Sequence, residues 1–122
     1  MDPTEASTIP QLVEAAAAAY GERTAIEDGP LRLTFAELAA QGRQAARAFI
    51  AAGVEPGDRV AIWAPNRWEW VVAAIGLQSA GAVLVPLNTR FKGSEAGYVL
   101  KKSGARLLVT VGEFLGTRYP EL

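Results

Sequence analysis

The sequence predicts an α/β fold, namely a partial parallel (mixed) sheet with flanking helices. Three observations predict it: helical and extended segments alternate, the extended segments are short apolar runs, and glycine or proline stands at nearly every boundary. After an N-terminal helix and a hairpin, the order helix then strand occurs three times. This order favours parallel strands joined by right-handed crossovers. We find no internal repeat, low-complexity tract or linker, so the 122 residues read as one unit.

The N-terminal third is predicted to form a helix and a hairpin. The helix begins near Thr8, where a hydroxyl precedes a proline in the first turn, and it stops at Gly21. Residues 24–27 and 31–33 are two short extended runs. The Asp, Gly and Pro of residues 28–30 supply turn chemistry between them, which favours an antiparallel hairpin.

Two capping boxes mark the starts of the next two long helices. The Thr34 hydroxyl can accept the backbone N–H of Glu37, whose carboxylate can accept the N–H of Thr34 in return. Asn66 and Glu69 have the same spacing, and they predict a helix over about residues 67–80.

Three apolar runs are predicted to be the strands of the sheet. Residues 59–63 should be buried on both faces, because they lack polar alternation. Residues 82–85 form a second short buried strand, and residues 106–111 form the last one. A shorter helix over residues 94–103 lies between these two. The tail, residues 113–122, is compatible with the start of one more helix.

Composition excludes several functional classes. The net charge of −1 argues against a nucleic-acid or anionic-membrane binder, since either requires a basic face. Cysteine and histidine are both absent, which excludes disulfides, thiol chemistry and every Ser–His triad. No apolar run approaches the ~18 residues of a transmembrane segment. The acidic, polar start is unlike a secretory signal, so we expect a cytoplasmic location.

The usual motifs of small-molecule sites are missing. No phosphate-binding loop of the G-x-x-x-x-G-K-[ST] type occurs, and no strand is followed by G-x-G-x-x-G, so a small Rossmann-like nucleotide-binding domain is disfavoured. The carboxylates are scattered, so we assign no metal site. We assign no catalytic residue either. Lys92, Lys101 and Lys102 are too few for a phosphate-binding patch, and we expect them to face solvent. Trp63, Trp68 and Trp70 are predicted to pack in the core or at its rim.

Three segments together resemble one enzyme superfamily. They are LTFAEL at residues 33–38, GDRVA followed by PN within residues 57–66, and LQSAGAVLVPLN at residues 77–88. In this order and spacing they resemble core motifs of the adenylate-forming enzymes, which include acyl-CoA synthetases, luciferases and the adenylation domains of peptide synthetases. The resemblance extends over about residues 12–114.

Finer features resemble one branch of that superfamily. The run PLNTR at residues 86–90 is most similar to acyl- and aryl-CoA ligases, whereas adenylation domains usually carry an acidic residue at the position of Asn88. The runs IWAPN at residues 62–66 and WEWVV at residues 68–72 resemble actinobacterial CoA ligases that act on fatty acids or acids derived from steroid rings.

The resemblance implies an activity for a longer protein. Family members react a carboxylic acid with ATP to give an acyl-adenylate, which coenzyme A then converts to a thioester, so the implied cofactors are ATP, Mg²⁺ and coenzyme A. In the family, the Ser/Thr/Gly-rich phosphate loop, the ribose-binding aspartate and the C-terminal lysine lie further along than residue 122. Residues 1–122 are therefore expected to be an incomplete, N-terminal segment of the AMP-binding domain that is inactive alone.

The resemblance implies one site residue inside this chain. In related ligases an arginine at the position of Arg90 reaches the ribose phosphate of coenzyme A, a contact that suits a guanidinium. The alternative is that Arg90 pairs with Glu95 or simply faces solvent. For the chain as a whole, the alternative to an enzyme segment is a free-standing, non-enzymatic α/β interaction module. If the chain is a segment of a larger sheet, we expect an exposed sheet edge through which it can form a homo-oligomer.

Overall fold

A computed structural model describes residues 2–110, in which nine helices and strands follow a short 3₁₀ turn at Pro3–Glu5. The helices are α1 (Ile9–Tyr20), α2 (Phe35–Ala51), α3 (Trp68–Ser79) and α4 (Gly93–Ser103). The strands are β1 (Thr24–Asp28), β2 (Leu31–Thr34), β3 (Arg59–Trp63), β4 (Val83–Pro86) and β5 (Leu107–Thr110). The order agrees with the predicted one. The predicted end of the last strand and the predicted helix at residues 113–122 lie outside the described residues.

The N-terminal helix and hairpin form as their local signals predict. The Thr8 hydroxyl accepts the backbone N–H of Gln11 at 3.2 Å and so caps α1. Strands β1 and β2 pair antiparallel, and Asp28 lies opposite Leu31 across the turn. Gly29 occupies that turn with φ of 59°, a conformation that glycine adopts without steric cost.

The last three strands form a parallel sheet in the order β4-β3-β5. In the register of this sheet, Val60 lies opposite Leu84 on one side and Leu107 on the other. Together with the separate antiparallel hairpin, this sheet confirms the predicted mixed α/β class. Since β3 comes first in sequence, each of its neighbours is reached through a helical crossover.

The central strand β3 is buried on both faces, as predicted. Val60 and Ile62 point to one face, where they pack with Leu77 of α3. Ala61 and Trp63 point to the opposite face, which α4 covers. This alternation follows from the two-residue period of a strand, and it places helices on both sides of the sheet.

Helices α2 and α3 pack at very short range. A Cβ atom added to Gly76 would stand 2.5 Å from the Cβ of Ala45, and one added to Gly42 would stand 2.6 Å from the Cγ2 of Ile75. Two glycines, one on each helix, therefore allow the two backbones to approach closely. Beside them, Leu38 of α2 joins a buried cluster with α3 residues.

The predicted burial of the strand over residues 82–85 is wrong. Strand β4 runs from Val83 to Pro86, and Val83 is 50% exposed while Leu84 and Val85 are half-buried. The physical reason is position, because within residues 2–110 β4 pairs with β3 alone and so forms an edge of the sheet. Homo-oligomerisation through such an edge stays a prediction.

The capping box at Thr34 is confirmed. The Glu37 N–H donates to the Thr34 hydroxyl at 3.1 Å, and the Thr34 N–H donates to the Glu37 carboxylate at 2.9 Å. Both ends of this reciprocal pair satisfy backbone donors at the start of α2, which would otherwise have no partner in the helix.

The capping box predicted at Asn66 and Glu69 is wrong. Helix α3 begins at Trp68, so its N-cap residue is Arg67, which makes no side-chain capping bond. Asn66 stands one residue too early to act as the cap. The Trp68 N–H donates instead to the Asp28 carboxylate at 3.1 Å, across 40 residues of sequence. The hairpin therefore supplies the cap of α3 from outside the helix.

Replacing Thr34 with alanine should destabilise the first turn of α2 by about 1 kcal/mol, because the Glu37 N–H loses its acceptor. Hydrogen exchange of the Glu37 amide should then be faster by roughly fivefold, since 1 kcal/mol corresponds to about that factor in a local opening equilibrium. The control Thr34→Ser retains the hydroxyl and should leave the rate close to that of the wild type. Equal rates in the alanine and serine variants would contradict the capping role.

Candidate functional site

The carboxyl ends of the parallel strands define the candidate site. In open α/β sheets, ligands bind in the crevice outside this edge. Residues 64–67 follow β3 there, and residues 87–92 follow β4. We call residues 87–92 the β4–α4 loop. Because β3 and β4 are adjacent and parallel, the two segments leave the sheet side by side.

Arg90, the site residue predicted from the resemblance, lies in the β4–α4 loop with an exposed side chain. Its backbone N–H donates to the Asn88 side-chain oxygen at 2.8 Å, which makes an Asx turn. Within residues 2–110 the ion pairs are Arg32–Glu27, Arg43–Glu14 and Arg106–Asp58. The alternative in which Arg90 pairs with Glu95 is therefore not found, and the guanidinium faces solvent.

Trp63 connects the sheet to this loop. Trp63 is 4% exposed, which confirms the predicted packing at the end of a buried strand. The indole N–H donates to the Asn88 backbone carbonyl at 3.1 Å, and the Trp63 carbonyl accepts the Thr110 hydroxyl at 2.7 Å. The first of these bonds joins residues 25 apart in sequence, so no local signal in the sequence indicates it.

The charges around the β4–α4 loop favour an anion. Arg90 and Lys92 both precede α4, and Lys92 is the N-cap residue without a side-chain capping bond. The N-terminus of a helix carries a partial positive charge, which Glu95 in the first turn partly offsets. Lys101 and Lys102 are exposed in the last turn, at the opposite end of the helix.

A separate cleft of about 460 Å³ lies between the hairpin and the start of α3. It is lined by Glu27, Asp28, Asn66, Arg67, Trp68, Trp70 and Val71. Both tryptophans also pack against buried clusters, Trp68 against the cluster that includes Leu38 and Trp70 against the one that includes Val60. Their predicted role in packing at the rim of the core is confirmed. Arg90 does not line this cleft.

The described residues lack two further kinds of feature, a metal-binding group and a membrane-spanning helix. In the described part of the chain, no three His, Cys, Asp or Glu side chains lie together in a group that could hold a metal ion. Among the helices of residues 2–110, none combines the length and apolar character that a membrane span requires.

Comparison with known proteins identifies relatives along nearly the whole chain. A 3-[(3aS,4S,7aS)-7a-methyl-1,5-dioxo-octahydro-1H-inden-4-yl]propanoyl:CoA ligase of Rhodococcus jostii (strain RHA1) is 47% identical over 117 residues, which are 95% of this chain and 23% of that protein. The ligase of the same name from Mycobacterium tuberculosis is 45% identical over 109 residues, which are 89% of this chain and 22% of that protein. The chain thus spans less than a quarter of the length of either relative.

A solved structure shares the same architecture. The fatty acyl CoA synthetase of Mycobacterium tuberculosis superposes with a TM-score of 0.81 and 30% sequence identity, over 84% of this chain and 21% of that one. The family described as AMP-binding enzyme matches residues 13–121. These matches confirm the resemblance that residues 33–38, 57–66 and 77–88 indicate. The chain therefore belongs to the AMP-binding enzyme family.

Proposed function

We propose that this chain is the N-terminal part of the AMP-binding domain of an ATP-dependent acid–CoA ligase. The observation that carries the proposal is the 47% identity with a CoA ligase over 95% of the chain. The reaction would join a carboxylic acid to AMP with release of pyrophosphate, and coenzyme A would then displace AMP to form the thioester. ATP, Mg²⁺ and coenzyme A are the corresponding cofactors, and the cytoplasm, where they are abundant, is the proposed location.

The chemistry belongs to the full-length protein in this proposal. The chain corresponds to only 23% of the Rhodococcus jostii relative, and within residues 2–110 no His, Cys, Asp or Glu side chains form a group that could hold a metal ion. We therefore expect the 122 residues by themselves to form neither adenylate nor thioester. The substrate is a carboxylic acid, and the bicyclic propanoate named for the Rhodococcus jostii relative is the first acid to test.

ATP–pyrophosphate exchange tests the proposal on the full-length protein. The acids compared should include the bicyclic propanoate, a medium-chain fatty acid and a benzoate. We expect acid-dependent exchange with at least one of them, and thioester formation from the same acid when coenzyme A is added. Absence of exchange with every acid, in a folded full-length protein, would favour a non-enzymatic interaction module.

We propose further that the Arg90 guanidinium binds the ribose phosphate of coenzyme A. In support, its side chain is exposed, it makes no ion pair within residues 2–110, and it lies beside the positively charged end of α4 at the carboxyl edge of the sheet. A guanidinium can contact a phosphate through two parallel, charge-assisted hydrogen bonds.

Replacing Arg90 with alanine in the full-length protein should raise the apparent KM for coenzyme A by roughly tenfold or more. A charge-assisted hydrogen bond contributes about 1.5–3 kcal/mol, and 1.4 kcal/mol corresponds to a factor of ten. The rate of ATP–pyrophosphate exchange should not change, since coenzyme A takes no part in that half-reaction.

Two controls sharpen this measurement. Lys101→Ala removes an exposed cation from the opposite end of α4 and should leave the KM for coenzyme A unchanged. Dephospho-coenzyme A lacks the ribose phosphate, so wild type and Arg90→Ala should bind it equally well. An unchanged KM for coenzyme A in Arg90→Ala would contradict the assignment.

A further inference from the structure

The β4–α4 loop is irregular in conformation and yet is attached to the sheet at defined points. At its start the Leu87 N–H donates to the Ile62 carbonyl at 2.9 Å, which extends the pairing of β3 with β4 by one residue. The next residue, Asn88, uses both of its oxygen acceptors within the loop. Asn88 is two residues before Arg90, so it connects the sheet to the residue that carries the exposed guanidinium.

Three hydrogen bonds meet at Asn88. The backbone carbonyl accepts the Trp63 indole N–H at 3.1 Å and the Phe91 backbone N–H at 3.0 Å. The side-chain oxygen accepts the Arg90 backbone N–H at 2.8 Å. These bonds fix the backbone on both sides of Arg90, so they determine where its side chain leaves the loop.

The Trp63 side chain is a rigid support for this arrangement. Its indole is buried with Leu87 and Ala96, and the half-buried Phe91 packs against the same cluster. Rotating the ring would leave a cavity and would deprive the buried indole N–H of its acceptor. Both changes cost free energy. The position of the Asn88 carbonyl is thus set by the core of the protein and not by the loop alone.

We infer that Trp63 and Asn88 are positioning residues for Arg90, which hold the β4–α4 loop in the conformation that binds the coenzyme A phosphate. This inference rests on the proposed role of Arg90. The physical basis is pre-organisation: a loop that is already ordered loses less conformational entropy when the ligand binds. Neither side chain touches the phosphate in this arrangement, and both act through the backbone of the loop.

The experiment measures the KM for coenzyme A in single variants of the full-length protein. Trp63→Phe keeps an aromatic ring but removes the N–H, and Asn88→Ala keeps the backbone carbonyl but removes the side-chain acceptor. Each should raise the KM for coenzyme A by roughly three- to tenfold and leave ATP–pyrophosphate exchange at the wild-type rate. Asn88→Ser supplies a hydroxyl acceptor, which makes this turn more weakly than the asparagine amide, and should avoid part of the loss that Asn88→Ala causes.

A positioning role is separated from a structural one by two comparisons. With dephospho-coenzyme A, the variants should have the KM of the wild type. In an Arg90→Ala background, Trp63→Phe and Asn88→Ala should have no further effect, since the group that they position is absent. Asn88 is exposed, so its substitution tests the inference even where Trp63→Phe impairs folding.

The outcomes separate this inference from the proposal on which it rests. If Arg90→Ala raises the KM for coenzyme A but Asn88→Ala and Trp63→Phe do not, the positioning role is wrong and the role of Arg90 stands. If Arg90→Ala has no effect, both are wrong. Equal losses with coenzyme A and dephospho-coenzyme A would also overturn the inference, because the residues would then support the site only through general stability.

Discussion

Leu77→Ala should lower the free energy of unfolding by about 2–5 kcal/mol, the largest effect that we expect from a single substitution. Leu77 is 0% exposed, and it packs on one face of the central strand with Val60 and Ile62. The variant loses the favourable free energy of burying the removed methyl groups, and it also retains a cavity, because β3 is held between two neighbouring strands and cannot collapse into the space.

Urea denaturation of the 122-residue chain, followed by tryptophan fluorescence, measures this loss. The three tryptophans of the chain all contact buried clusters of this unit, so their emission reports its unfolding. Leu12→Ala is the matched control, since Leu12 is 41% exposed on α1 and its loss should change the free energy by no more than about 0.5 kcal/mol. Similar losses in both variants would contradict the core described above.

Gly76→Ala should destabilise the chain by about 1–3 kcal/mol, although alanine is the better helix former by about 1 kcal/mol. The added methyl group would stand 2.5 Å from the Cβ of Ala45 and 3.1 Å from the backbone of Ala45 and Ala46. Backbone atoms cannot rotate away, so α2 and α3 must separate and lose part of their packing.

Gly97→Ala is the matched control for this substitution. Gly97 lies within α4, and a Cβ atom there would meet no other atom within 4 Å. The substitution therefore adds no clash and only replaces glycine with a better helix former, so this variant should be more stable than the wild type by up to about 1 kcal/mol. If α2 and α3 approach as closely as described, the same urea titration should show a lower free energy of unfolding for Gly76→Ala and a higher one for Gly97→Ala. A stabilising Gly76→Ala would show that the two helices are further apart.

Much of the fold could be predicted because its signals are local. The hydroxyl of Thr8 before α1, the capping box at Thr34 and the turn at Gly29 each involve residues within four positions of one another. The burial of β3 followed from an apolar run without alternation. Such features depend on the chain near them and are therefore readable from sequence alone.

The features that could not be predicted depend on contacts between distant parts of the chain. The residues around Asp28 predict a turn, and none of them indicates that its carboxylate caps a helix 40 residues later. Nor does the spacing at Asn66 reveal that α3 begins two residues beyond it, at Trp68. Val83 is exposed because β4 lies at an edge of the sheet. Burial and capping are in these cases decided by tertiary structure and not by propensity.

The candidate site likewise has features that the sequence indicates and features that only the structure shows. Membership in the family was indicated by three segments of sequence, and the comparisons confirm it. The role of Arg90 came from the resemblance alone and stays a prediction, whereas the bond from Trp63 to Asn88 became visible only when the sheet brought the two residues together.

The strand order β4-β3-β5 has a consequence during synthesis of the chain on the ribosome. The most buried strand, β3, is translated before either of its neighbours, and Thr110 at the end of β5 follows Trp63 by 47 residues. At about 5–20 residues per second, the second edge of β3 waits roughly 2–10 s for its partner. During that interval the nascent chain exposes an unpaired hydrophobic strand, which is prone to aggregation. We therefore expect a ribosome-associated chaperone to bind this chain at β3.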